Sequence, residues 1–318
     1  MTQTDTEWNS RLAAILGDDF ADNGSATFNN IANSVVPALM NRIGLTVVND
    51  ADDPANPFID YDKPMMEMGD VVQMVKVKYT KPGEYDPEDT NPFAIKKGEA
   101  IAQYFTQNDS VQYSQTIWDR ELRRAFAQRD SFDRFVTAQI DAMEKSNTLD
   151  KRTKWKKILT ESPAIKDDPA SITLTNGVAD GTVLLDKFRS YANDVFREPS
   201  ESYNVAGDTA ISSEIDIIMR RKDKIAIDKT LAGVFNMDKL DLEANIKLVD
   251  DFATPTGDNA SKTLLAVIVD RRALGYYPTQ ITPSAQYNAK GLYTNYFQTI
   301  EGVYTVDKTR NAIRIYGE

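Results

Sequence analysis

The sequence predicts a mixed α+β fold, and three patterns predict it. Apolar residues recur at spacings of three and four along parts of the first half, most clearly at Phe132, Phe135, Val136, Ile140 and Met143. Runs of period two, Val71-Val75-Val77-Tyr79 and Val111 to Ile117, lie just before that stripe. From about Asn176 helical stripes alternate with short continuous apolar runs, the texture of an α/β unit. A chain of 318 residues can bury about 75% of the surface it exposes when unfolded, so a sizeable core is expected.

Taken in order, the chain opens with two helical stretches. Trp8, Leu12, Ile15 and Leu16 share one face; Phe28, Ile31, Val35, Leu39 and Ile43 share another, with a kink expected at Pro37. Arg42 to Val48 leads into a strand. The acidic loop Asn49 to Pro57 resembles a calcium loop only in its charge. It lacks the central glycine, so it reads as solvated. The strand at Val71 to Tyr79 is followed by a turn-rich insert, Lys81 to Pro92, and the run Val111 to Ile117 comes back as the expected second strand. A two-stranded hairpin this thin is marginal alone in water, so it calls for a neighbouring surface.

The stripe of Phe132 to Met143 marks the strongest helix. After Ser146-Asn147 a second helical stretch carries Leu149, Trp155, Ile158 and Leu159, with Lys151, Arg152, Lys154, Lys156 and Lys157 on its other face. Those cations admit three readings: a nucleic-acid surface, a solvated face with Trp155 in the core, or a match to an acidic neighbour; the second is favoured. Val183, Leu184, Phe188, Tyr191 and Val195 predict a helix, Ile215 to Met219 a buried strand, and Ile227 to Phe235 a helix ending near Asn236. Ile246 to Val249 and Leu264 to Val269 predict strands joined by a loop, Asp251 to Ser261. Then come a polar crossing, a long strand with aromatics on both sides (Tyr293, Tyr296, Phe297, Tyr304), and a short terminal strand, Asn311 to Tyr316. Aromatics on both sides imply burial on both faces or one face against a partner.

Composition narrows the chemistry. The chain has neither cysteine nor histidine, which excludes thiolate and Ser-His-Asp catalysis and removes the commonest metal ligand. No phosphate loop, dinucleotide fingerprint or nucleophile elbow is present. Asp18-Asp19, Asp167-Asp168 and Asp250-Asp251 sit at turns and read as caps or solvated charge. Asp270-Arg271-Arg272 ends a buried strand, where α/β folds bind ligands, but an ion pair within or between subunits is favoured there. No catalytic, cofactor or metal residue is assigned. The net charge of −11 argues against a sequence-reading DNA binder and suits solubility at high copy number. No stretch reaches the roughly 20 apolar residues of a membrane helix, and no signal peptide is visible, so synthesis in the cytoplasm is expected.

Several segments, in order, are similar to the major capsid proteins of small phi29-like podoviruses: Asn41 to Val48, Leu231 to Met237, Ile246 to Ala253, and above all the tail from Ala266 to Tyr277, Lys290 to Thr299 and Asn311 to Tyr316. The resemblance implies a Hong Kong 97-type capsid fold. It implies an N-terminal arm over 1–60 and an extended β-hairpin loop over 61–118. A peripheral domain over 119–171 and 291–318 would hold a long spine helix, Phe132 to Leu159, and an α/β axial domain would span 172–290. No immunoglobulin-like C-terminal domain and no lysine–asparagine crosslink are expected. The function implied is self-assembly into pentamers and hexamers that form the icosahedral head of a double-stranded DNA phage. Scaffolding and portal proteins would be partners, packaged DNA a non-specific neighbour, and no membrane would be involved. The protein would reside in the virion capsid after synthesis in the bacterial host. Val71, Val75, Val77 and Tyr113 are the expected intersubunit contacts. The competing reading is a soluble α/β ligand- or metal-binding protein or a carboxylate-based enzyme.

Overall fold

The computed structural model describes residues 56–78, 98–118, 120, 129–197, 209–210, 212–235 and 244–318; within these the side chains of 129–141, 143–144, 193–194, 212, 232–235 and 283 are not described. The two expected N-terminal helices, the run Arg42 to Val48 leading into a strand, nearly all of the acidic loop, the Lys81 to Pro92 insert, the contacts of the Phe132 to Met143 stripe and the helix end near Asn236 lie outside the described residues.

The core forms around a five-stranded sheet. Its strands are β4 (Lys166–Asp167), β7 (Ile215–Arg220), β8 (Asn245–Val249), β9 (Thr263–Asp270) and β12 (Ala312–Gly317), in the order β4-β12-β9-β7-β8. β7 pairs with β8 and β12 with β4 in parallel; the other two pairings are antiparallel. Parallel neighbours need a crossover, and helix α3 (Arg221–Phe235) supplies it between β7 and β8. Alternation along the strands feeds two cores. Ile215, Ile217 and Met219 face one side, with Leu184, Leu185 and Phe188 of helix α2 (Gly181–Arg189) and with Ile227 and Leu231 of α3. Ile218, Leu264, Val267 and Val269 face the other, with Trp155 and Leu159 of helix α1 (Arg129–Glu161). Burial on both faces is why these strands read as unbroken apolar runs.

α2 starts as expected: Asp180 caps it by accepting a hydrogen bond from the Thr182 amide at 2.8 Å. It continues as a π-type turn over Ser190–Val195, which brings Tyr191 and Ala192 into the core. A small hairpin precedes it, β5 (Leu174–Thr175) with β6 (Val178–Ala179), turning through Asn176 and Gly177, both at positive φ. The two helical stretches on either side of Ser146-Asn147 are one helix of 33 residues, about 50 Å long at 1.5 Å per residue. Trp155 sits in the core, 1% exposed.

A second sheet of three antiparallel strands is ordered β10 (Leu274–Asn288), β11 (Tyr293–Val306), β3 (Asp109–Trp118). It corrects two expectations. The polar crossing after Ala273 is the strand β10. Its breakers, Pro278 and Pro283, are accommodated because β10 is an edge strand and the register shifts at Thr279. Val111 to Ile117, expected as the return strand of the hairpin, lies in β3 and pairs with β11, Val111 opposite Ile300 and Ile117 opposite Thr294. The expected boundary at Lys290 falls in the turn between the paired strands β10 and β11, and β12 leaves the tail strand to join the five-stranded sheet.

The remaining strands, β1 (Val72–Val77) and β2 (Ala100–Phe105), form a two-stranded antiparallel arm. The chain returns at Ala100, earlier than expected. Ala100-Ile101-Ala102 carries little β signal, so the sequence hides this strand.

Candidate intersubunit surface

The arm owes its shape to what holds its root. Residues 56–66 form a strap across the junction of the two sheets. Phe58 and Tyr61 are fully buried, with ring centroids 6.3 and 5.5 Å from that of Trp155. The Tyr61 hydroxyl donates to Asp216 Oδ2 at 2.8 Å, and Arg271 grips the same carboxylate through Nε and Nη2 at 3.2 and 2.9 Å. Lys247 Nζ bridges Asp60, at 2.5 Å, and Asp216, at 3.5 Å, and stands 4.4 Å from the Tyr61 ring centroid. Burial first, and the Asp216 charge second, push the Tyr61 hydroxyl well above the usual tyrosine range. Past this network, Lys63 and Met66 donate backbone hydrogen bonds to the carbonyls of Tyr276 and Pro278 on β10. Asp62 pairs with Lys151 of α1 at 2.9 Å. The strap therefore ties both sheets and α1 together where the arm leaves them.

The returning strand of the arm is fastened at the same root, by Asn108. Its side chain donates to the Tyr304 carbonyl and accepts from the Tyr304 amide, both at 2.8 Å, continuing the β ladder. Gln103 donates to Asp307 Oδ1 at 2.5 Å and accepts from the Lys308 amide at 3.3 Å. These bonds seat the inner face of the arm, where Val72, Met74, Lys76, Ile101, Gln103 and Phe105 are buried or half-buried. Lys76 is held below the usual lysine range, first by burial and then by the nearby Arg310.

The outer face is different. Val71, Gln73, Val75 and Val77 alternate outward, and β2 adds Ala100, Ala102 and Tyr104. Register sets Val75 opposite Ala102 and Val77 opposite Ala100. Val71 is 46% exposed, Val75 55%, Val77 62% and Tyr104 65%. Three of the four expected contact residues thus share one exposed apolar face. Tyr113 does not join them. It is half-buried in β3 and its hydroxyl is 3.3 Å from Asp150 Oδ2 on α1, with burial the leading cause that pushes it up. Ala102 and Tyr104 stand on the same exposed face, and the sequence signal for them is Tyr104-Phe105 closing an alternating run from Ile101.

The basic face of α1 is largely spent on acidic neighbours within the chain. Lys151 holds Asp62, Arg152 holds Asp250 at 3.1 Å, and Lys154 holds Asp109 and Asp150 at 2.6 and 2.8 Å. Asp270 and Arg272 form the expected ion pair, at 2.8 Å, and Arg271 turns to Asp216 instead. Asp168 is taken by Lys187 at 2.5 Å. Among the described residues no three acidic side chains converge as a metal site would require, and no helix is long and apolar enough to cross a membrane.

The family model for the Phi29-like phage major capsid protein matches residues 1–316. The major capsid protein of Bacillus phage GA-1 is 27% identical over 296 residues, covering 89% of this chain and 60% of its own length. That of Bacillus phage PZA is 25% identical, covering 93% and 66%, and that of Streptococcus phage Cp-1 is 28% identical, covering 85% and 79%. The chain thus spans about two thirds or less of the Bacillus phage relatives it matches. Among solved structures, the capsid of Staphylococcus phage Andhra superposes with a TM-score of 0.60 at 13% identity, covering 83% of this chain and 84% of that one. The capsid of Cyanophage P-SCSP1u gives 0.53 at 12%, covering 82% and 88%. The fold is the Hong Kong 97-type capsid fold that the sequence implied.

Proposed function

The chain belongs to the Phi29-like phage major capsid protein family, and on that premise we propose that it is a structural subunit that self-assembles into the pentamers and hexamers of an icosahedral phage head. One observation carries the reading beyond the family: the arm has a fastened inner face and an open apolar outer face. Val71, Val75, Val77 and Tyr104 expose apolar surface that a monomer gains nothing by displaying. A second copy lying under the arm would bury it. Each such contact is small, so a misplaced subunit can leave, and the closed shell gains its stability from many contacts at once.

The same reading puts the protein in the virion, with scaffolding and portal proteins as partners during assembly and packaged DNA as a neighbour that is not read. It assigns no catalytic residue. We keep the division into arm, peripheral and axial regions with three changes. β3 is grouped with β11 rather than with the arm, β10 with β11, and β12 with the α/β sheet.

Electron microscopy and sedimentation velocity on Val75→Asp test the proposal. The variant should fold like the parent, because Val75 is half-exposed and touches no core, and should form no shells. Normal particles from Val75→Asp would sink the assignment of the arm's outer face.

A further inference from the structure

A concave cavity of about 570 Å3 lies between the inner face of the arm at its root, the end of α1 and the end of β11. Phe105, Ile158, Ala164 and Val306 give it apolar walls. Its uncharged polar groups are already engaged within the chain. Asn108 holds the Tyr304 amide and carbonyl, and Gln103 holds Asp307 and the Lys308 amide. The Ser162 hydroxyl accepts from the Ala164 amide at 3.3 Å, and the Ser162 carbonyl accepts from Arg314. The charged side chains around the cavity are free by comparison. Lys157 on α1 and Lys308 just beyond β11 are exposed, and neither holds an acid among the described residues, unlike Lys151, Arg152 and Lys154 on the same helix. Glu161 is the one acid in the lining, so the surround is net positive in a chain of net charge −11.

That contrast sets what fits. Pockets of a few hundred Å3 with apolar walls and a few polar groups take one compact ligand. A peptide segment brings an N–H and a C=O at every residue, and these walls would leave most of them unpaired. A molecule with an apolar body and one anionic end needs only the apolar walls and a cation, and a lysine ammonium bonds an anion more strongly than a neutral group. We propose that the cavity is a binding site for a small amphipathic anion, an alkyl or aryl body ending in a carboxylate or sulfonate. The body lies against Phe105, Ile158 and Val306, and the anionic end meets Lys157 and Lys308. Such a ligand touches two regions at once. Gln103, Phe105 and Asn108 belong to the returning strand of the arm and its root, Ile158 and Val306 to the body. Its binding therefore holds the arm against the body and stabilises the folded chain by mass action. The site stands whether or not the chain forms shells.

Anilinonaphthalene sulfonate is a direct probe, since it has an apolar ring system, one sulfonate and fluorescence that rises in apolar surroundings. Titrated against the full unassembled chain, it should fill one saturable site, and decanoate should displace it. Decanol, with the same alkyl length and no charge, should displace it about tenfold less well. Lys157→Glu/Lys308→Glu should weaken the probe about tenfold or more with unchanged circular dichroism, because both side chains are exposed. Ala164→Trp should abolish the site by filling it. Val75→Asp is the control, since it alters the exposed apolar face of the arm and should leave the affinity at the parental value. Parental affinity in the double lysine variant, or decanol equal to decanoate, would overturn the proposal. So would loss of the probe from Val75→Asp, which would move it to the arm's outer face. A site present in the free chain and lost when it assembles into shells would give the cavity to a neighbouring subunit and overturn the proposal as well.

Discussion

The five-stranded sheet and the arm use similar residues to opposite ends. Ile215, Ile217, Ile218 and Val267 are fully buried between helices on one side and α1 with the strap on the other. Val71, Val75 and Val77 belong to the same class of side chain and stand in water on one face. Composition does not separate the two regions. The number of covered faces does. A strand covered on both sides commits its apolar surface to folding. A strand covered on one side keeps half of it for association, worth roughly 25 cal/mol for each Å2 removed from water. The difference teaches that stability and assembly in this chain can be perturbed separately.

The largest effect expected is at the join between the two regions. Asp216 is fully buried and answers Tyr61, Arg271 and Lys247 at once. Asp216→Ala leaves the Tyr61 hydroxyl without its acceptor and Arg271 with only Asp60, 3.9 Å away, while Lys247 keeps Asp60, so it should cost about 3–5 kcal/mol in urea denaturation. A loss under about 1 kcal/mol would mean that the strap is not seated by this network and that the arm's root is looser than the sheet it joins.

Alkali should separate the regions next. Burial pushes the hydroxyls of Tyr61, Tyr276 and Tyr304 well up, because the interior disfavours a phenolate. In each case the folded chain keeps a proton that the unfolded chain releases above about pH 10. The stability these tyrosines contribute is therefore fully present below pH 10 and falls as the pH rises above it. The slope should be about 1.4 kcal/mol per pH unit for each. Tyr304 makes the cleanest check, since its buried hydroxyl has no hydrogen-bond partner. Tyr304→Phe should flatten the slope by one tyrosine's share and change neutral stability little. An unchanged slope would show that Tyr304 is not shielded in the folded state.

What could be read from the sequence follows the same division. Doubly covered strands announce themselves as unbroken runs, so Ile215 to Met219 and Leu264 to Val269 were placed within a residue or two. Helix α1 was legible from its stripe and from Trp155. The edges were not. β10 hides behind Pro278 and Pro283, and β2 behind its alanines, because a strand with one exposed face or a free edge needs no strong pattern. Missing β2 sent Val111 to Ile117 into the arm by default. The exposed apolar face of the arm is therefore legible only through β1, as Val71, Val75 and Val77, and Tyr113 joins them in the sequence reading because β3 is taken for the partner of β1. No periodicity could have exposed the strap network, since Asp60, Asp216, Lys247 and Arg271 are far apart in the chain and meet only in the fold.

Tyr113 gives the smallest expected effect and sharpens the comparison most. In β3 it stands opposite Gln298, and its hydroxyl donates to Asp150 on α1 at 3.3 Å. That bond is long, and Asp150 is also held by Lys154. Tyr113→Phe keeps the ring packing and removes one hydrogen bond, so it should cost about 0.5–1.5 kcal/mol, toward the lower end because the site is half-buried. Shell yield should stay at the parental level. Val75→Asp should do the reverse, with unfolding within about 0.5 kcal/mol of the parent and no shells. If Tyr113→Phe lost shells at unchanged stability, β3 would have to share the contact surface with the arm. If Val75→Asp lost stability instead, the outer face of the arm would be covered within the chain, and the division between a folding sheet and an associating arm would fail.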